Sequence, residues 1–349
     1  MSGGGRALLR ARAEEAPRRP DHITALLELA VGGSVPPPTI PALLHCRATL
    51  RLPYHSDAPD FLSPALMSLR LSFCVLVLLL LGTSPLEAQS VWTGPPEHAD
   101  RVSVEWLKPV FDDEGTVSFL TSSLLVSGQV TASDRLMIVG ELPVSYARTE
   151  AVNAFGETQT TSSTTVGNPY LGIELRGRSA PFFLELGGRV PTVDDPAFFS
   201  SAVGTLTDLN RLGTYVVDQV PVQLIGNYHY TPSPSNVSFR LRGGPEAFFP
   251  AGENAPTGEM VLTYGAQAWY RGTSLGAGLG VTGRWRTTGE DVDFREASLH
   301  QLSASLRGTV GRFRPGLLVR VPVEEVLRDV LPVIVGITMT VDLSGTGEK

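Results

Sequence analysis

The feature that most constrains this chain is a two-residue alternation that recurs from about residue 101 to near its C-terminal end. Over residues 181–191, Phe182, Leu184, Leu186 and Val190 take one face while Glu185, Gly187 and Arg189 take the other. Residues 170–178 set Leu171, Ile173 and Leu175 against Glu174, Arg176 and Arg178. Val237, Phe239 and Leu241 oppose Arg240, Arg242 and Glu246, and Ala277, Leu279, Val281 and Trp285 oppose Arg284 and Arg286. A period of two is that of a β-strand, whose successive side chains point to opposite faces. Twelve such segments are expected, near 101–110, 117–131, 136–149, 166–177, 182–191, 214–230, 237–248, 259–271, 275–287, 298–309, 313–323 and 330–343. Gly, Pro, Asn, Asp and Ser gather between them, so the chain reads as all-β.

Alternation does not decide what the apolar face touches, because a soluble sandwich and a membrane barrel share the period. Three further features do. Short connections at 132–135, 179–180, 232–236, 272–274 and 311 are interleaved with longer ones at 150–165, 192–213, 250–258 and 288–297, with smaller ones at 111–115 and 324–329. Tight turns at one end and long loops at the other belong to a membrane barrel, and an even strand number returns both ends to the side of the tight turns. Trp106, Tyr146, Tyr228, Tyr230, Tyr264, Tyr270 and Trp285 fall near the ends of the apolar faces, where amphipathic rings suit a headgroup boundary. The opposite face carries both signs of charge: Glu141, Glu174, Arg176, Glu185, Arg189, Arg240, Arg242, Glu246, Arg284, Arg286, Arg307 and Arg320 are the candidates to line a polar, partly filled lumen. The expected fold is a single antiparallel transmembrane β-barrel of about twelve strands.

Residues 67–88 have the layout of a secretory signal peptide: Arg70, an apolar run from Cys74 to Leu81, a break at Gly82-Thr83-Ser84-Pro85, and the small Ala88. The run is shorter than the roughly 20 residues a membrane helix needs, so it is read as cleaved rather than as an anchor. Residues 1–66, rich in Arg, Ala and Pro, read as a disordered leader or as sequence upstream of a true start at Met67; the sharper alternative, a cytosolic extension, has no motif behind it. The barrel then occupies 89–349. Both cysteines, Cys46 and Cys74, precede it, which excludes disulfides and thiolate metal sites there. From Gln89 onward twenty Lys and Arg face twenty-eight Asp and Glu, only two of the cations being lysines. That balance is no footprint for nucleic acid. The partners expected are outer-membrane lipid and the outer-membrane assembly machinery, with no cofactor.

Candidate chemistry is sparse. His98, His229 and His300 are the only histidines beyond residue 88. Gly272-Thr273-Ser274-Leu275-Gly276 matches Gly-x-Ser-x-Gly, but a nucleophile elbow stands between a strand and a helix, and here strands flank it, so it reads as a hairpin turn. Acidic clusters at Asp112-Asp113-Glu114, Asp194-Asp195, Glu290-Asp291-Asp293 and Glu324-Glu325 lack the spacing of a calcium loop and read as solvated loops. No catalytic or metal-binding residue is assigned. The link 192–213 is too apolar for a free surface loop, so Phe198 and Phe199 are read either as gating the mouth or as extending the aromatic girdle.

Glu141-Leu142-Pro143-Val144-Ser145-Tyr146-Ala147 followed by Val166-Gly167-Asn168-Pro169-Tyr170-Leu171-Gly172-Ile173-Glu174 resembles the early strands of outer-membrane transporter-like proteins grouped with the MetA-pathway phenol-degradation family. The resemblance implies a bacterial outer-membrane barrel that passes small hydrophobic or aromatic solutes. Two function classes follow: a channel or transporter, and a non-conducting barrel that binds a partner, braces the envelope or hydrolyses lipid. The glycines Gly276, Gly278 and Gly280 leave interior room and favour the first. One departure concerns assembly, since many such barrels end on an aromatic residue whereas this chain has Val341-Asp342-Leu343 and a polar tail.

Overall fold

The computed structural model describes residues 99–111, 121–152, 157–177, 181–193, 198–251, 257–288 and 294–343. The leader, the signal peptide, His98 and the acidic clusters at 112–114, 194–195 and 290–293 lie outside the described residues.

Thirteen strands form one antiparallel sheet: β1 (Arg101–Val110), β2 (Ser122–Ser133), β3 (Leu136–Val152), β4 (Thr158–Val166), β5 (Tyr170–Arg176), β6 (Phe182–Arg189), β7 (Gln219–Tyr230), β8 (Val237–Pro250), β9 (Glu259–Arg271), β10 (Leu275–Arg286), β11 (Ser298–Gly308), β12 (Phe313–Pro322) and β13 (Val333–Asp342). Neighbours in sequence pair around the ring, and β1 pairs with both β2 and β13, which closes it. β4 and β5 share one place, because β4 pairs with the far half of β3 and β5 with its near half. The barrel therefore has twelve strand positions.

Among the described residues three short helices interrupt the ring's connections. They are α1 (Phe198–Thr207), α2 (Phe294–Ala297) and α3 (Glu325–Val330), and α1 is followed by a 3-10 turn at Leu209–Thr214. No helix among the described residues is long and apolar enough to cross a membrane.

The alternation maps onto the wall as a lipid-facing surface requires. Leu171, Leu184, Leu241, Leu279 and Leu317 are exposed, while their strand neighbours Glu174, Glu185, Arg240 and Arg320 are buried. A closed ring satisfies every ladder hydrogen bond internally, and with apolar side chains outside it is the one sheet arrangement stable in lipid. The protein is a transmembrane β-barrel. Gly272 donates its amide to the Leu275 carbonyl at 2.9 Å, so the Gly-x-Ser-x-Gly match is a hairpin turn.

One expectation needs correction. The link 150–165 is mostly strand: β3 runs on to Val152 and β4 starts at Thr158, and the two pair out to their ends. The sequence there is Thr- and Ser-rich with no apolar face, hence no alternation to detect. Part of the interior filling is apolar. Leu107, Leu125, Leu318, Leu331 and Ile334 form a buried apolar cluster, and Leu209, Leu212, Leu299 and Leu327 form a second, with Leu206 packed against both. An eight-stranded barrel is filled by its own side chains, and twelve strands enclose more. Part of that space is filled by chain.

Candidate functional site

The chain that fills it is the link between β6 and β7. Helix α1 packs against β1, β2, β3 and β4, while the 3-10 turn packs against β10 and β11. The segment thus crosses the interior from one wall toward the other. Its small residues, Ser200, Ser201, Gly204 and Thr205, allow the helix to lie close to the wall. Asp208 caps the turn, accepting from the Asn210 amide at 3.0 Å.

Six strands reach the insert through side chains. Thr165 on β4 hydrogen-bonds Ser200, and Ser123 on β2 accepts from Thr207 Oγ1 at 3.0 Å. Arg284 on β10 donates to the Leu209 carbonyl at 3.3 Å, and Arg320 on β12 donates to the Thr207 carbonyl at 3.3 Å. The strongest hold is on Arg211. Its guanidinium lies 2.8 Å from Glu105 on β1, 3.0 Å from Glu141 on β3 and 2.9 Å from Asp208. Arg320 lies 3.2 Å from Glu105 and 2.8 Å from Asp208, so Arg211, Glu105, Arg320 and Asp208 form a closed ring of alternating charge. Glu141 is shared with Arg189 at 2.8 Å. Three carboxylates thereby meet three guanidinium groups, all buried. Ion pairs taken out of water cost about as much as they return, so this network contributes position more than net stability.

Burial disfavours both charged forms here, yet the partners prevail. Burial alone would raise the Asp208 carboxyl, but the charges of Arg320 and Arg211 and the Asn210 amide hold it below its ordinary value. Burial likewise opposes the Arg211 cation, and Glu105, Glu141 and Asp208 together push its pKa up.

The two ends of the insert are held by one side chain. Asn168, fully buried in the break between β4 and β5, donates to the carbonyls of Val216 at 2.7 Å and Gly213 at 3.2 Å. Its Oδ1 accepts from the amides of Thr192 at 2.8 Å and Val193 at 3.2 Å. The Tyr215 ring lies between Gly167 and Gly204, where a Cβ would come within 2.7 Å and 2.4 Å of it.

A second group occupies the half of the barrel nearer the short turns. Glu185 accepts from Tyr170 Oη at 2.7 Å and Gln223 Nε2 at 2.9 Å, with Arg242 at 3.9 Å. Arg176 donates to Glu174 at 2.5 Å and stacks over Phe183 at 4.2 Å. Arg240 donates to Asn227 Oδ1 at 2.6 Å.

Of the twelve lumen candidates, Glu141, Arg189 and Arg320 therefore belong to the insert's network. Arg284 joins it through Leu209 and pairs with Glu246. Glu174, Arg176, Glu185, Arg240 and Arg242 make the second group. Arg307 is buried beside Gly276, and Arg286 is half-buried at the outer end of β10. Phe198 opens α1 with its side chain outside the described residues, and Phe199 is 39% exposed. The locking contacts fall instead on Glu105, Asn168, Asp208, Arg211 and Tyr215. A charged Asp-x-x-Arg inside an otherwise apolar link was the available signal for two of them. Among the described residues no group of His, Cys, Asp or Glu is arranged to hold a metal.

No family model and no curated protein matches this chain. Among solved structures it is similar to an outer membrane channel from Pseudomonas putida F1, at 12% identity over 72% of this chain and 98% of that one, with a TM-score of 0.44. It is also similar to the NanC porin, at 7% identity over 70% and 99% with a TM-score of 0.43. A third is the Ralstonia pickettii toluene transporter TbuX, at 9% identity over 71% and 79% with a TM-score of 0.38.

Proposed function

We propose that this barrel is a channel or transporter for small solutes, and that residues 198–214 are its gate. The observation that carries the reading is how the insert is held. Apart from one backbone hydrogen bond, from the Asn168 amide to the Thr214 carbonyl at 2.6 Å, its contacts to the wall among the described residues are side-chain hydrogen bonds, ion pairs and packing, with no strand of its own in the sheet. Such a segment can leave while the ring stays closed. The resemblance of residues 141–147 and 166–174 to the phenol-degradation transporter-like family favours hydrophobic or aromatic solutes, and the apolar clusters flanking the insert suit such a path. On this reading the barrel has no catalytic role.

The second reading is a non-conducting barrel whose insert is a permanent core. It is favoured by the same two leucine clusters, which an insert that moved would have to uncover.

Planar-bilayer recording separates the two. The full chain is compared with a variant in which residues 198–214 are replaced by a short Gly-Ser linker, a heat-modifiability gel establishing that both form barrels. A channel with a gate gives small or infrequent steps in the parent and large steady ones in the variant. A variant barrel that stays silent overturns the gate.

A further inference from the structure

The outer wall carries a recess of about 540 Å³ at β8–β12, facing lipid. Its floor is small, with Ala266, Ala268, Gly280 and Ala304, and Leu279 and Leu302 stand exposed beside it. Such a hollow in a sheet otherwise covered with large apolar side chains is a place where a flexible apolar chain gains contacts on several sides.

A polar constellation stands at its outer end. Tyr264, Gly283 and His300 lie in one register row across β9, β10 and β11. They share the outward face with Ala266, Val281 and Leu302, the next row inward on that face. Tyr264 Oη and His300 Nε2 are 2.6 Å apart, and His300 Nδ1 is 2.7 Å from Glu324 Oε1, which also accepts from the His300 amide at 2.8 Å. The Tyr264 ring reaches His300 only by lying across Gly283, where a Cβ would come within 2.4 Å of the ring. Phe294 packs at 6.2 Å from His300 and 5.7 Å from Trp285, completing an aromatic rim. The rim is at the long-loop end of the strands, where the outer leaflet meets water.

We propose that this face is a docking site for one acylated lipid of the outer leaflet, its acyl chain in the recess and an oxygen of its linkage region against Tyr264 and His300. Polarity along the site carries the assignment. Two residues of strand, roughly 7 Å at about 3.4 Å per residue, separate the polar row from the recess, which matches an amphiphile whose polar part adjoins its chain. Glu324 accepts the Nδ1 proton of His300, which leaves Nε2 to accept from the Tyr264 hydroxyl, and Tyr264 Oη then accepts from a hydroxyl of the lipid's linkage region. Glu324, behind His300, fixes the ring's orientation.

The test is native mass spectrometry of the full chain extracted from bacterial outer membrane in a non-ionic detergent, titrated with 1-palmitoyl-lysophosphatidylglycerol. One copy is expected to bind saturably. Replacing Ala268 and Ala304 together by Phe fills the recess from the lipid side and is expected to weaken that binding at least tenfold. Tyr264→Phe, which keeps the ring over Gly283, is expected to weaken it about three- to tenfold. Leu142→Phe, exposed on β3, leaves it unchanged. Unsaturable binding of many copies, or equal binding by the recess-filled variant and by Tyr264→Phe, overturns the site. Should the doubly substituted barrel fail to fold, Tyr264→Phe alone decides.

Discussion

Asn168 donates to the carbonyl of Val216 at 2.7 Å, joining the break between β4 and β5 to the far end of the interior segment. The same side chain accepts from Thr192 at the near end. A loop of more than twenty residues is thus closed by one amide whose four hydrogen bonds are all made to backbone.

Asn168→Ala therefore releases the insert without opening the ring. It leaves two carbonyls and two amides without this partner in a buried place, for a cost on the order of 3 kcal/mol. Trypsin supplies the readout, because Arg211 is the only Lys or Arg between Arg189 and Arg240. The parent is expected to resist cleavage there. The variant is expected to be cut at Arg211 while keeping its heat-modifiable barrel. Equal resistance in both removes Asn168 from the role of clasp.

The pair Arg211 and Glu105 allows a double-mutant cycle. Arg211→Met leaves Glu105, Glu141 and Asp208 buried with a cation missing, at a cost of about 3–5 kcal/mol. Glu105→Gln in that background removes one of the stranded charges. The double variant should be more stable than the sum of the single losses by about 1 kcal/mol or more, within the range measured for contacting residues. Thermal unfolding in detergent checks it, and strict additivity refutes the coupling.

Gly204 gives a prediction whose sign opposes helix propensity. Gly→Ala inside an exposed helix stabilises by about 1 kcal/mol. At Gly204 the added methyl would lie 2.4 Å from the Tyr215 ring, so the substitution is expected to destabilise by about 1–3 kcal/mol through overpacking. Gly128→Ala, where the nearest atoms are at 3.7 Å, is the control and is expected to be mild. Combining Gly204→Ala with Tyr215→Leu should recover part of the loss. Tryptic release at Arg211 measures all three.

What the chain made legible follows from what alternation encodes. Phe182, Leu184 and Leu186 against Glu185 gave strand, face and register together, since one slip would put Glu185 into lipid. The Thr- and Ser-rich β4 carries no such contrast, so its pairing with the far half of β3 leaves no trace in the sequence. The insert was visible as an oddly apolar link, but its route was not. Phe198 and Phe199 stand out because they are large, whereas position is set by Asn168, Asp208 and Arg211, whose partners lie as far away as Arg320 is from Asp208. No local spacing reports that Glu105 and Arg211 meet. The Gly167-Asn168-Pro169 break carries part of the family resemblance, and its physical meaning, a gap in the strand from which Asn168 reaches inward, lies in the fold.

Asp208 makes the insert sensitive to acid. The Arg320 and Arg211 charges outweigh the burial penalty and hold its folded-state pKa below the ordinary 3.8. A group depressed on folding contributes stability that is fully present above its unfolded pKa and is lost as pH falls through the folded one. The insert should therefore keep its seating from pH 7 down to about pH 4, and loosen below that as Asp208 takes up a proton and the ring of alternating charge loses one member. Amide hydrogen exchange across residues 198–214, corrected for the intrinsic rate at each pH, should rise below about pH 4 while strands such as β10 and β12 remain protected. In Asp208→Asn the insert should already exchange faster at pH 7, because Arg211 and Arg320 face a neutral amide, and the further rise on acidification should be smaller. An unchanged acid step in Asp208→Asn would remove Asp208 from that role.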